Sequence, residues 1–342
     1  MALVADAPAA LARLAAVLAP DFRIVEAGDG GDAARQAAAE NVGFTHRRLG
    51  AADYYFVANV SPQLHDLRVQ FDVGHRRPAR WNPDTALVEP TLVYAYASAG
   101  GRKVTEVALR LDAFESCFVV FGTATDDPVV ARSDWRGRLD IARRGGSVEV
   151  TGLLTENGSY SLTLGNGRPY RFTVADVPAA VELKGPWTLG LGKNPPLELA
   201  ELRSWNELPE GRAFSGWAVY ETDFDAPESR EDVEWVIDLG TVHETAEVVL
   251  NGRPLGAAWK GRRRVACGGA LLAGRNHLEV DVANLWINAM VGREPPADWK
   301  VLEETVGIRW GRYGEVKPES VPPSGLLGPV RLVAAKRYRV KA

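Results

Sequence analysis

The stretch from Phe214 to Gly292 constrains the fold of this chain more than any other part of it. Trp235, Ile237 and Leu239 alternate with Glu234, Val236 and Asp238, the period of a half-buried strand. Ala246, Val248 and Leu250 lead into Asn251-Gly252, the dipeptide best suited to a two-residue type I′ hairpin. The chain then returns through Leu255 and Trp259. After Gly274-Arg275-Asn276, Leu278, Val280 and Val282 give another alternating strand, which ends at Asn284-Leu285-Trp286-Ile287-Asn288. These pieces describe an antiparallel β-sandwich or jelly roll. Trp217 and Trp235 lie within alternating segments and are expected in its core.

The upstream residues have a different pattern. Residues 1–41 read as helix, strand, helix, with Pro8 in a first turn, Leu11, Leu14, Val17 and Leu18 on one face, and Phe22 to Val25 as the strand. Asp32 is placed to cap a helix from Ala33 to Glu40. A lone parallel-type strand with two helices cannot bury both faces of a sheet. This segment therefore either docks on the strands downstream of it or is the remnant of an upstream α/β domain, and the remnant is the expectation. From residue 42 short strands recur at Phe44 to Arg47, Asp53 to Val57, Leu67 to Phe71, Leu92 to Ala97, Val104 to Leu111 and Cys117 to Phe121. They predict a β-sandwich with linking strands over 42–182. Pro186-Trp187 marks entry into a jelly-roll domain over 183–342. The fold class expected is mainly β, a β-sandwich followed by a jelly roll, with a short N-terminal α/β segment.

At 342 residues there is room for two or three domains. A net charge of −4 argues against a nucleic-acid surface, which needs a basic footprint. No apolar run is long enough for a membrane span. The Ala-rich start is interrupted by Asp6 and Arg13, so no signal peptide is legible. Cys117 and Cys267 sit in apolar stretches and read as buried free thiols, with a disulfide between them left open.

The five histidines, His46, His65, His75, His243 and His277, show no H-x-x-x-H zinc spacing. There is no nucleophile elbow, dinucleotide loop or P-loop. Glycoside hydrolysis needs only two suitably placed carboxylates, and 44 acidic residues do not single out such a pair. Glu303, Glu304, Glu315 and Glu319 cluster near aromatic residues, but a solvated loop with ordinary surface carboxylates is the expectation for them. The aromatic residues say more. Trp259, Trp286, Trp299, Trp310 and Tyr313, with Asn284, Asn288 and Arg312 close by in sequence, combine flat rings with amide and guanidinium donors. That combination suits sugar rings, although tryptophans also fill sandwich cores. Trp259, Trp286, Asn288, Trp299, Trp310 and Tyr313 are the candidate carbohydrate-binding residues.

The phrasing of the last domain resembles the galactose-binding-like jelly roll of many glycoside hydrolases, and in detail the C-terminal part of glycoside hydrolase family 106, the α-L-rhamnosidases. The phrases are Phe214-Ser215-Gly216 with Tyr220, Asp238-Leu239-Gly240 with Val242, Ala246-Glu247-Val248, Asn251-Gly252, Leu255-Gly256 and Trp259. Gly274 with Asn276, Asn284 to Asn288, and Ser324 to Val330 continue them. Upstream, His46-Arg47, Asp53 to Asn59, Trp81-Asn82-Pro83, Phe118 to Phe121, Gly185-Pro186-Trp187 and Ser204-Trp205 agree as well. The resemblance covers residues 42 to 335. It departs at Lys260-Gly261-Arg262-Arg263, at Asn288-Ala289 and at Gly292-Arg293, where the family tends to have a proline-aromatic phrase, Asn-Arg and Gly-Asp.

The resemblance implies a bacterial parent enzyme, periplasmic or secreted, whose catalytic glutamates lie in a barrel upstream of everything matched here. No residue of this chain inherits a catalytic role. The expected function is the non-catalytic, carbohydrate-binding or supporting portion of an α-L-rhamnosidase-like glycoside hydrolase, with rhamnose-containing glycans and an upstream catalytic domain as partners. No cofactor is required; calcium is implied by family analogy, without named ligands. Two alternatives stay open: an autonomous glycosidase with a carboxylate pair between the sandwiches, and a purely structural β-sandwich module.

Overall fold

The computed structural model describes residues 20–28, 30–89, 93–135, 137, 139–144, 147–259, 261, 263–291, 299–306 and 321–342. The chain divides into two compact units, Met1–Asp176 with Arg337–Ala342, and Val177–Lys336. The described residues are mainly β. Among the described residues the strand pairs with a given register run antiparallel, and one isolated bridge, between Gly240 and Gly328, is parallel.

The N-terminal unit contains β1 (Phe22–Ala27), α1 (Gly31–Asn41), β2 (Val42–Leu49), β3 (Ala52–Asn59), β4 (His65–Phe71), β5 (Pro78–Trp81) and β6 (Val88–Glu89). It continues with β7 (Tyr94–Ala99), β8 (Arg102–Leu111), β9 (Ser116–Phe121), β10 (Val130–Ser133), β11 (Leu139–Arg144), β12 (Ser147–Leu154), β13 (Gly158–Leu164) and β14 (Pro169–Val174). A four-stranded sheet in the order β1-β4-β8-β7 and a five-stranded sheet in the order β2-β3-β9-β5-β6 enclose one core. Tyr55, Val57, Cys117, Val119 and Phe121 enter it from one sheet, and Leu67, Val69, Phe71, Val107, Leu109 and Leu111 from the other. This is the interdigitation of two inner faces that defines a sandwich.

The structure corrects the reading of the N-terminal segment. β1 is the edge strand of the first sheet, antiparallel to β4 with Phe22 opposite Phe71. Phe22, Ala27 and Ala38 belong to the sandwich core, and Phe22 meets Phe71 edge-on with centroids 5.4 Å apart. The described part of the segment thus docks on the first sandwich, because β1 and α1 bury their apolar faces on β4 and its neighbours. The helix expected before Pro20 lies outside the described residues.

The C-terminal unit contains β15 (Val181–Glu182), β16 (Trp187–Leu191), β17 (Leu197–Leu199), β18 (Trp217–Ala226), β19 (Val233–Asp238), β20 (Thr241–His243) and β21 (Thr245–Leu250). After these come β22 (Arg253–Ala258), β23 (Arg264–Ala266), β24 (Gly274–Ala283), α2 (Ile287–Met290), α3 (Trp299–Val306), β25 (Gly325–Gly328) and β26 (Arg331–Lys341). A six-stranded sheet runs β17-β16-β18-β24-β21-β22, and the strands β15, β26, β19 and β23 pair in that order. Within this unit Val181 pairs with Leu332, and the Leu183 N–H donates to Val330 O. Residues 337–342 return to the N-terminal unit, where Ala342 and Val148 exchange hydrogen bonds of 2.8 and 3.0 Å.

The hairpin at Asn251-Gly252 forms as the dipeptide predicts. Leu250 faces Arg253, and both turn residues have positive φ, 53° and 74°. Those signs at both central positions are what a type I′ turn requires. The Asn251 side chain adds to it, donating to Ala270 O and Asn276 Oδ1, both at 2.8 Å. Cys117 and Cys267 are both buried, and neither is in a disulfide.

Candidate functional site

Alternation sorts the two longest neighbours of the six-stranded sheet into an inner and an outer face. On β18, Ala218, Tyr220 and Thr222 are buried; on β24, Asn276, Leu278, Val280 and Val282 are buried. The residues between them face outward, and these include Trp217, Glu221, Asp223, His277, Glu279 and Asp281. Trp217 is 54% exposed, which corrects its expected place in the core; Trp235, at 7%, does lie there. The reason is position. Trp217 starts its strand opposite Ala283, at the end of the sheet and on its outer side.

The ladder registers place two exposed indoles, Trp217 and Trp259, at this end. Ala258 faces Ala246, Ala246 faces Val282, and Val282 faces Ala218, so these four form one inward row. One residue beyond that row stand Trp217, its partner Ala283, Thr245 opposite Ala283, and Trp259 directly after Ala258. Trp259 is 45% exposed. Three strand spacings separate β18 from β22, a span of about 14 Å. Trp286 is 70% exposed, on the segment that leaves β24.

That segment is held by a buried polar network. Asn284 Nδ2 donates to Phe214 O at 2.9 Å, and the Gly216 N–H donates to Asn284 Oδ1 at 3.1 Å. Ser215 Oγ donates to Leu285 O at 3.2 Å. Asn288, only 3% exposed, donates through Nδ2 to Asn206 Oδ1 at 3.0 Å and to Ser324 Oγ at 2.8 Å. The structure therefore places Asn288 beneath the surface, where it positions the Trp286 segment. Below it, Trp205 Nε1 donates to the Tyr220 hydroxyl at 2.6 Å, and the Leu326 N–H donates to the same oxygen. Burial pushes the Tyr220 phenol up to about 12, partly offset by those two hydrogen bonds.

Polar groups border the indoles. The Glu244 N–H donates to Ala283 O at 2.9 Å, and Arg263 Nη1 donates to Glu244 O at 3.3 Å. Burial lowers the Arg263 guanidinium from its ordinary value, with the Glu244 charge acting the other way. Trp299 opens α3 and is half-buried, with Glu303 and Glu304 on the same helix. Trp310, Tyr313, Glu315 and Glu319 lie outside the described residues, as do Lys260, Arg262 and Arg293. The candidate surface thus has Trp259 and Trp286, named from the sequence, together with Trp217, Glu244 and Arg263, which were not among the residues named from it. Strand register puts Trp217 at the same end of the sheet as Trp259.

Further along the same outer face, Glu221, His277 and Glu279 place ligand atoms within 4.8 Å of one another. Among the described residues this is the one such grouping of three or more His, Cys, Asp or Glu side chains. Calcium takes oxygen ligands, so a donor set containing an imidazole does not fit it. The two glutamates stand on an open sheet face, not facing each other across a pocket.

Comparison with known proteins points in the same direction. Residues 17–96 match the family model of glycoside hydrolase family 106, α-L-rhamnosidase. That match reaches into the segment before residue 42, whose described part belongs to the first sandwich. A protein of Formosa agariphila provisionally named a beta-glucuronidase is 31% identical over 195 residues, covering 49% of this chain and 17% of the relative. The structure of a rhamnosidase from Novosphingobium sp. PP1Y matches 96% of this chain at 27% identity, with a TM-score of 0.57. The chain spans 26% of that rhamnosidase. No described helix is long and apolar enough to cross a membrane. These matches make the chain similar to part of a glycoside hydrolase family 106 α-L-rhamnosidase, with residues 17–96 matching the family model itself.

Proposed function

We propose that this chain is the carbohydrate-binding and supporting portion of an α-L-rhamnosidase-like glycoside hydrolase, and that it engages rhamnose-containing glycans at the aromatic end of the C-terminal sheet. The observation that carries the reading is the exposure of three indoles, Trp217 and Trp259 at one end of the sheet and Trp286 on the segment that leaves β24. Contiguous exposed apolar patches mark interaction sites. An indole face suits the C–H face of a pyranose, while the carboxylate of Glu244 and the guanidinium of Arg263 offer an acceptor and donors for hydroxyl groups. A deoxysugar such as rhamnose carries a methyl group that adds to its apolar face. The Asn284–Asn288–Ser324 network keeps the Trp286 segment ordered before ligand arrives, which limits the entropy lost on binding.

In this reading the chemistry of a parent enzyme resides in a catalytic domain upstream, and the present chain supplies binding and support. Titration of the purified chain with rhamnose-containing oligosaccharides, followed by tryptophan fluorescence and calorimetry, tests it. Saturable binding that is lost in Trp217→Ala and Trp286→Ala is expected. No binding to any rhamnose-containing glycan would favour a purely structural module. Reproducible hydrolysis of aryl rhamnosides, lost on changing one carboxylate of this chain, would overturn the non-catalytic role.

A further inference from the structure

We infer that Glu221, His277 and Glu279 form a binding site for a divalent cation of the zinc class, with Asp223 as the residue that orients the histidine. The site is distinct from the aromatic end and does not depend on the carbohydrate reading. In the β18–β24 ladder Glu221 faces Glu279 and Asp223 faces His277. Residues two apart on a strand share a face, so all four side chains converge on one outward patch. The ligand atoms of Glu221, His277 and Glu279 lie within 4.8 Å of one another, a spacing one ion can bridge.

The histidine is set in the manner metal sites use. Its Nδ1 lies 2.8 Å from Asp223 Oδ1, an acceptor that places the ring hydrogen on Nδ1. The lone pair of the neutral ring is then on Nε2, which faces Glu221 Oε1 at 3.6 Å. A carboxylate holding the far nitrogen of a ligating imidazole fixes its tautomer and orientation and raises its basicity. Asp223 is itself fixed by Arg275 Nη2 at 2.8 Å. The backbone is anchored too, because the His277 N–H donates to Asn251 Oδ1 at 2.9 Å.

Charge supplies an independent argument. Like charges directly opposite each other on a sheet destabilise it, yet Glu221 stands opposite Glu279, and in the next outward row Glu247 stands opposite Asp281. Among the described residues neither Glu221 nor Glu279 has an arginine or lysine ion-pair partner. Glu221, Glu279, Glu247 and Asp281 therefore concentrate negative charge on one outward patch. A divalent cation at Glu221 and Glu279 relieves it. One imidazole nitrogen with two carboxylates suits zinc, cobalt or nickel better than magnesium or calcium. Three protein ligands on an open face leave the remaining positions to water or to a ligand from solution.

The test is calorimetry of the full chain with Zn2+ alone, alongside the ligand-field absorption of Co2+. One ion per chain is expected. His277→Ala and the double variant E221Q/E279Q should each weaken binding at least tenfold and abolish the Co2+ spectrum. Asp223→Asn should weaken it about 10- to 100-fold, the usual cost of losing an orienting carboxylate, while His75→Ala leaves it unchanged. Circular dichroism and the melting temperature, read for each variant without metal, separate ligand loss from misfolding. Absence of one-to-one binding, or binding that survives in both the His277→Ala and E221Q/E279Q proteins, would overturn the assignment.

Discussion

Asn288 Nδ2 donates to Ser324 Oγ at 2.8 Å, joining the segment that leaves β24 to the one that precedes β25. Both residues are buried, and Asn284 Nδ2 donates to the same oxygen at 3.2 Å. Removing the Asn288 amide leaves Asn206 Oδ1 and Ser324 Oγ without that donor inside the fold. Asn288→Ala should therefore cost about 1–3 kcal/mol in urea unfolding, the usual penalty for stranding buried polar groups. It should also weaken glycan binding, although Asn288 itself does not reach the surface.

The tryptophans separate by location. Trp217→Ala and Trp286→Ala remove exposed rings and should change stability by no more than about 0.5 kcal/mol. Trp235→Ala empties a core position and should cost about 3–5 kcal/mol. Denaturant midpoints with unchanged m-values, set beside glycan titrations, distinguish the two classes. A large stability loss in Trp217→Ala would return that residue to the core.

Asp53 gives the N-terminal unit an acid-sensitive joint. It is 1% exposed and receives hydrogen bonds from Arg76, from Arg48 at 2.9 Å and from His46, whose Nε2 is 2.7 Å away. Burial alone would raise its pKa, but the hydrogen bonds from Arg76, Arg48 and His46 outweigh that and hold it at about 2. A carboxyl whose folded value lies below its unfolded value stabilises the fold above the unfolded value, near pH 4. That stabilisation is lost as pH falls through about 2. The loss should amount to about 2 kcal/mol. Asp53→Asn should flatten the acid limb of urea stability between pH 5 and pH 2, and should lower stability at pH 7 because three donors then meet a neutral amide.

The hairpin offers a test of backbone alone. A methyl group added at Gly252 meets nothing within 4 Å, yet φ there is 74°. Gly252→Ala should thus cost about 1–2 kcal/mol purely through the left-handed conformation. Asn251→Ala should cost more, because its amide is bonded to Ala270, Asn276 and His277. It should weaken zinc binding as well. Equal costs for the two variants would count against the side-chain bracing of His277.

Periodicity and turn chemistry are local, and they carried much of the fold. The alternation of Leu278, Val280 and Val282, the Asn251-Gly252 turn, and the buried thiols of Cys117 and Cys267 all arise from residues a few positions apart. The mainly-β class and the resemblance to family 106 rest on those local patterns. What local pattern could not supply was partnership across the chain. Phe22 to Ala27 reads as an orphan strand until it is paired with β4, some 45 residues on. Trp217 and Trp235 have the same alternating surroundings, and only strand register and position at a sheet end put one outside and the other inside. His277-Leu278-Glu279 and Glu221-Thr222-Asp223 each carry the two-residue spacing of a strand face, yet nothing in either stretch says that they are neighbours. Pairing between distant strands is selected by the burial of their inner faces. The outward groups at the aromatic end and at the Glu221–His277–Glu279 cluster are brought together as a consequence of that burial, so tertiary structure alone could reveal them.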